Sequence, residues 1–208
     1  MLNPSLTKPI QEETLKLKKY AAIDIGSNAM RLLITYIVEQ EGKESQFNKN
    51  SLVRVPIRLG QDSFTVGEIS EENIDRMIDA MKAFRLLMKV HKVEKYKALA
   101  TSAMREAYNG KEVVEIIKEK SGIDIEIIDG KKEAIIIAST DLNHMLKSDK
   151  TYLYVDVGGG STEFSLFDNG KIVVSKSFKA GTVRFLNKMV CDVVWEEMEK
   201  WIKTNTKE

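Results

Sequence analysis

The sequence predicts an α/β protein of two related lobes, each built on a mixed sheet. Three observations carry that expectation. An acidic, small-residue turn occurs twice, in Ala22-Ile23-Asp24-Ile25-Gly26-Ser27-Asn28-Ala29-Met30-Arg31-Leu32-Leu33-Ile34 and in Tyr154-Val155-Asp156-Val157-Gly158-Gly159-Gly160-Ser161-Thr162-Glu163-Phe164-Ser165-Leu166. In register, Asp24 matches Asp156, Gly26 matches Gly158 and Ile34 matches Leu166. Each copy lies between apolar runs that read as strands, and strand and helix patterns alternate between the copies.

Residues 1–19 are polar and lysine-rich and read as a leader, loose or briefly helical. Residues 20–25 and 30–38 are expected strands around the first turn, 39–51 a polar loop, and 52–58 a further strand. Ser70 caps a helix whose first turn carries Glu71 and Glu72, matching the positive end of the helix dipole. Its apolar face is Ile74, Met77, Ile78, Met81, Phe84 or Arg85, and Met88, at helical spacing. A strand at 96–101, a short helix at 102–108 and a helix at 111–121 follow, the last closed by Gly122. Residues 123–128 read as a strand and 131–146 as a helix. Strands at 151–157 and 163–168 frame the second turn. Asp168-Asn169-Gly170 is a hairpin turn into a strand at 171–178, and helices follow at 182–190 and 193–203.

The chain of 208 residues, 43% apolar, is long enough for one large domain or two small lobes. A net charge of +1 gives no whole-protein field for nucleic acid. One cysteine, Cys191, excludes an intrachain disulfide and is expected to be structural. No run reaches the ~18 apolar residues of a membrane span. These features point to a cytoplasmic protein with neither nucleic acid nor membrane as a partner.

Gly158-Gly159-Gly160 is not a dinucleotide fingerprint, since a strand follows it and Glu163 stands where that motif needs its third glycine. There is no Walker A or His-Glu-x-x-His sequence, and His91 and His144 are isolated. Small residues let backbone N–H groups converge on an anion, and an aspartate beside them can hold a cation or orient water. Two strand-Asp-turn-strand units separated by a βαβα region match the actin-like, ribonuclease-H-like architecture. There, two lobes face each other across a cleft and each contributes one phosphate turn. Residues 20–147 are the first lobe and 148–208 the beginning of an apparently incomplete second.

Four segments together resemble the exopolyphosphatase / guanosine pentaphosphate phosphohydrolase family. They are AAIDIGSNAMRLLI at 21–34, LATSAMREAYNG at 99–110, IEIIDGKKEA at 125–134 and VDVGGGSTEF at 155–164. Arg58-Leu59-Gly60 and Ala180-Gly181-Thr182-Val183-Arg184 extend the resemblance across about 20–190. It implies a magnesium-dependent enzyme removing terminal phosphate from inorganic polyphosphate or guanosine pentaphosphate, with dimerisation in the full-length protein. By matching positions it implies Asp24, Gly26, Ser27 and Asn28 as the first phosphate turn and Gly158, Gly159, Gly160 and Ser161 as the second. Glu133 would be the general base and Arg105 a grip on a phosphate oxygen, with Asp156, Glu163 and Asp24 as metal partners. The chain departs from the family pattern at Ala29, Lys132 and Ile135. Ala29, Ile135 and the apparently incomplete second lobe keep open a binding fragment without turnover, and the cleft common to the fold keeps open an actin-like ATPase, against which the Arg105 and Glu133 segments argue.

Overall fold

A computed structural model describes residues 16–40, 45–139 and 150–206 of the chain. Strands β1 (Lys16–Ile25), β2 (Met30–Glu39) and β3 (Gln46–Val55) form an antiparallel meander. On the other side of β1, β4 (Lys95–Ala100) and the short β5 (Glu126–Ile127) pair in parallel, giving the order β3-β2-β1-β4-β5. A second sheet has the order β6-β7-β8, all antiparallel, from β6 (Tyr152–Val157), β7 (Thr162–Asp168) and β8 (Lys171–Phe178). The helices are α1 (Leu59–Thr65), α2 (Glu71–Val90), α3 (Ser102–Glu106), α4 (Gly110–Ser121), α5 (Gly130–Ser139), α6 (Thr182–Leu186) and α7 (Asp192–Asn205).

The strand alternation decides which face is core. In β1, Ala21, Ile23 and Ile25 point inward, while Ala22 and Asp24 face the other way. Met77, Ile78, Met81, Phe84 and Met88 of α2 fall on one helix face and join the same core. Burying each such side chain is worth ~1.5–3 kcal/mol. The choice between Phe84 and Arg85 resolves clearly: Phe84 is buried, and Arg85 reaches out to donate to the Ser121 carbonyl at 2.9 Å. Ser70 accepts from the Asn73 N–H at the start of α2, and Gly122 takes φ 72 at the end of α4. Asn169 and Gly170 both have positive φ, the turn that the twist of a tight hairpin requires.

In the second sheet, Phe164, Phe178 and Met198 form a smaller core against Trp201, with the Phe164 and Phe178 rings 5.0 Å apart. The two copies of the repeat are covered unequally. Ile23 and Ile25 are 2% and 0% exposed, but their in-register equivalents Val155 and Val157 are 45% and 57% exposed. β4 pairs with β1 on the side away from β2, whereas no described strand takes that place beside β6.

Several sequence expectations need correction. Residues 16–19, assigned to the leader, open β1, with Lys16 opposite Glu39. The polar stretch 39–51 is not a loop throughout, because β3 begins at Gln46. As an edge strand exposed along most of its length, β3 tolerates polar side chains that hide its period. α1 was not expected; its N-cap, Arg58, stands at φ 64. β5 is only two residues long. Helix α5 is described to Ser139, and the remainder of the expected helix at 131–146, with His144, lies outside the described residues. The helix expected over 182–190 ends at Leu186, and Cys191 is exposed at the N-cap of α7.

Candidate active site between two phosphate turns

The two turns have the same local geometry. Asp24 pairs across the hairpin with Arg31, and Asp156 pairs with Glu163, which stands in register with Arg31. Gly26 N–H donates to the Ala29 carbonyl at 3.1 Å, and Gly158 N–H donates to the Ser161 carbonyl at 2.9 Å. Among the described residues, the N–H groups of Asn28, Gly159 and Gly160 donate to no backbone carbonyl. Such free amides at a small-residue turn suit an anion.

Glycine lets the turns meet. A Cβ on Gly159 would stand 2.9 Å from Ser27 Cβ, so the second turn rests directly on the first. A Cβ on Gly160 would stand 2.3 Å from Phe64 Cζ and 2.4 Å from Ser102 Oγ. Ser102 Oγ in turn shares a hydrogen bond of 2.9 Å with Ser27 Oγ.

A cleft of about 490 Å³ opens beside this contact. Its walls include Asp24, Gly26, Ser27 and Asn28 from the first turn and Asp156, Gly158, Gly159 and Ser161 from the second, together with Glu133. Nine of the expected residues therefore share one cavity. Arg105, Gly160 and Glu163 do not line it. Gly160 is a packing glycine between lobes. Arg105 stands behind Glu133, its Nη1 donating to the Ile128 carbonyl at 2.5 Å and lying 3.6 Å from Glu133 Oε2. Glu163 is 2% exposed, and its Oε1 accepts from Ser177 Oγ at 2.8 Å.

Helix α5 delivers Glu133. Asp129 starts the helix, its carboxylate accepting the Lys132 N–H at 2.7 Å and its carbonyl the Glu133 N–H at 2.9 Å. Gly130 allows close approach to β8, since a Cβ there would lie 2.8 Å from Ser177 Cβ. Ser177 also holds Glu163, so the same contact brings two carboxylates near each other. Burial, then the charge of Glu163, push the Glu133 carboxyl up to about 7 against the opposing pull of Arg105. Glu133 Oε2 is buried and accepts no hydrogen bond. Burial raises Glu163 too, against hydrogen bonds from Ser161 and Ser177.

The expected three-carboxylate metal set is not assembled: among the described residues, no three His, Cys, Asp or Glu side chains converge on a metal position. Two of its members, Asp24 and Asp156, do line the same cleft. Magnesium characteristically takes one or two carboxylates and completes its shell with water and phosphate oxygens, so this donor set fits it. Asp24 is held by Arg31, whose Nη1 lies 2.7 Å from Asp24 Oδ2.

Sequence reasoning did not identify Phe64, Ser102 or Lys97 at the site; the last two line the cleft. Phe64 carries no sequence signal. Arg184 had one, its place in the Ala180–Arg184 segment, but no role followed from that.

A profile described as the Ppx/GppA phosphatase family matches residues 38–204. The chain is 32% identical over 200 residues to a bifunctional 3-dehydroquinate synthase/phosphatase of Fusobacterium nucleatum, covering 90% of this chain and 30% of that protein. It is 29% identical over 175 residues to exopolyphosphatase 2 of Mycobacterium tuberculosis, covering 82% of this chain and 54% of the relative. The structure superimposes on an exopolyphosphatase from Cytophaga hutchinsonii with a TM-score of 0.73 at 28% identity, over 90% of this chain and 60% of that one. The chain thus spans about a third to a half of the length of these curated relatives. With a profile match over most of its length, the chain belongs to the Ppx/GppA phosphatase family.

Proposed function

We propose that this chain carries the phosphate-gripping cleft of a phosphohydrolase that releases terminal phosphate from inorganic polyphosphate or guanosine pentaphosphate. The observation that carries this reading is Glu133, a buried carboxyl on the cleft wall, raised to about 7, beside both turns. A carboxylate poised near neutral pH is suited to orient water and accept its proton, help worth roughly 10²–10⁴-fold.

In this reading the terminal phosphate lies between the turns, with the Asn28 and Gly159 amides available to its oxygens. Glu133 takes a proton from the attacking water as the anhydride bond breaks, and the shortened chain leaves on the opposite side. Arg105 orients Glu133 and opposes its charge. Asp24 and Asp156 would hold magnesium, which supplies charge neutralisation on the phosphate oxygens when bound. A cytoplasmic setting accords with a chain of one cysteine.

The test is phosphate release from long-chain polyphosphate and from guanosine pentaphosphate, with and without magnesium, for wild type and Glu133→Gln. Release that needs magnesium and falls ~10²-fold or more in the variant supports the reading and names the substrate. Tight binding of either substrate without turnover would replace it with a binding module.

A further inference from the structure

We infer that Arg184 is a positioning residue, a clamp that holds the second turn against the first lobe and so fixes the spacing between the two phosphate turns. Its side chain is only 9% exposed and engages three separate parts of the molecule. Arg184 Nε donates to the Gly160 carbonyl at 2.7 Å. Its Nη2 reaches Glu106 Oε2 on α3 at 2.5 Å. Its guanidinium carbon lies 3.8 Å over the ring of Phe64 on α1.

Each partner connects onward to a turn. Phe64 packs where a Cβ on Gly60 or on Gly160 would stand, 2.8 Å and 2.3 Å from ring atoms. Gly60 N–H donates to the Ser27 carbonyl at 2.7 Å, tying α1 to the first turn. Arg184 itself sits on α6, whose Thr182 and Val183 N–H groups donate to the Gly158 and Gly159 carbonyls at 3.0 and 2.9 Å. A continuous path therefore runs from Ser27 through Gly60, Phe64 and Arg184 to Gly158–Gly160. Glu106 adjoins Arg105 on α3, so the clamp is anchored beside the residue that braces Glu133.

The choice of arginine follows from this geometry. A planar guanidinium can stack on a ring while donating from two nitrogens; a lysine ammonium cannot do both. A buried ion pair is weak support for stability, because desolvation offsets its attraction. Its use here is to specify one arrangement of two lobes. Without the clamp, only a fraction of molecules hold the turns at the right spacing, and apparent affinity falls by that fraction. A phosphate chain that spans both turns draws them together once bound, so the loss belongs in KM rather than kcat.

The test compares wild type with Arg184→Lys and Glu106→Gln. The second variant leaves the bond to Gly160 intact and serves if the first does not fold. Amide hydrogen exchange is measured without ligand, so this arm is independent of the proposed function. Protection of the Gly158, Thr182 and Val183 amides, which donate within or onto the second turn, is expected to fall about tenfold while β1 and β2 keep theirs. In the kinetic arm, which rests on that function, KM for tripolyphosphate is expected to rise about tenfold, with kcat within about threefold. Unchanged protection of the Gly158, Thr182 and Val183 amides in both folded variants would overturn the clamp, as would a lower kcat at constant KM. If wild type releases no phosphate from tripolyphosphate, hydrogen exchange alone decides the clamp, and the proposed function fails only where long-chain polyphosphate and guanosine pentaphosphate are left intact as well.

Discussion

Glu133→Gln should stabilise the protein at alkaline pH while removing its activity. The carboxyl is raised from 4.5 to about 7, first by burial and then by Glu163. Below about 4.5 the group is protonated in both folded and unfolded chains and costs nothing. Between 4.5 and 7 the unfolded chain gives up a proton that the folded one keeps, so stability falls as pH rises. Above about 7 the loss is complete, on the order of 3 kcal/mol. The side chain is 17% exposed, so solvent screens little of it. Glutamine resembles the protonated form at every pH and escapes this loss. Urea unfolding should therefore show the variant ~2–3 kcal/mol more stable than wild type at pH 8.5 and nearly equal at pH 4. The alkaline gap corresponds to roughly 4–12 °C in Tm. Phosphate release by wild type should rise with pH up to about 7 as the base ionises, and the variant should lack that limb. Equal stability at pH 8.5, or one constant gap at both pH values, would refute a buried, uncompensated carboxylate.

Three other outcomes follow from particular contacts. Gly160→Ala would place a methyl 2.3 Å from Phe64 Cζ and should cost about 1–3 kcal/mol, read as a lower urea midpoint. Asp62→Ala removes the acceptor for Ser70 N–H at 3.0 Å, Ser70 Oγ at 2.5 Å and Asn73 Nδ2 at 2.8 Å, and should cost about 1 kcal/mol at pH 7 after allowing for solvent exposure. Burial pulls that carboxyl upward, but the Ser70 and Asn73 hydrogen bonds outweigh it and hold it below 3.8, so the gap to wild type should close as pH falls through its folded value. Chelation should stop phosphate release and magnesium restore it, with Asp156→Asn raising the half-saturating magnesium concentration about tenfold or more.

The effects at Glu133 and Arg184 share one cause. Both groups lie beside the second turn and its sheet, Glu133 half-buried on α5 and Arg184 buried on α6. Charge placed there is expensive to desolvate. Arg184 is compensated by Glu106, whereas Glu133 is compensated only by an arginine 3.6 Å away. In the proposed reading, the first arrangement fixes a geometry and the second leaves a base reactive.

Much of this protein was determined locally. Asp24 and Asp156, their small-residue turns and the flanking strands could be read directly, because strand period and turn chemistry are properties of neighbouring residues. The same holds for Ser70 at the start of α2 and for Asn169-Gly170, where side-chain capping and positive φ act within a few positions. The first half of β3 escaped because residues 46–50 of this edge strand are all exposed, and a strand without a buried face imposes no alternation on its sequence. Only the tertiary structure could decide what Glu133 and Glu163 become, since Glu133 rises through burial and the charge of Glu163, and Glu163 through burial and the charge of Asp156. It alone could show that Gly160 packs against Phe64 while Gly159 rests on Ser27. Those contacts join residues far apart in the chain, and no local pattern encodes a distance between two lobes.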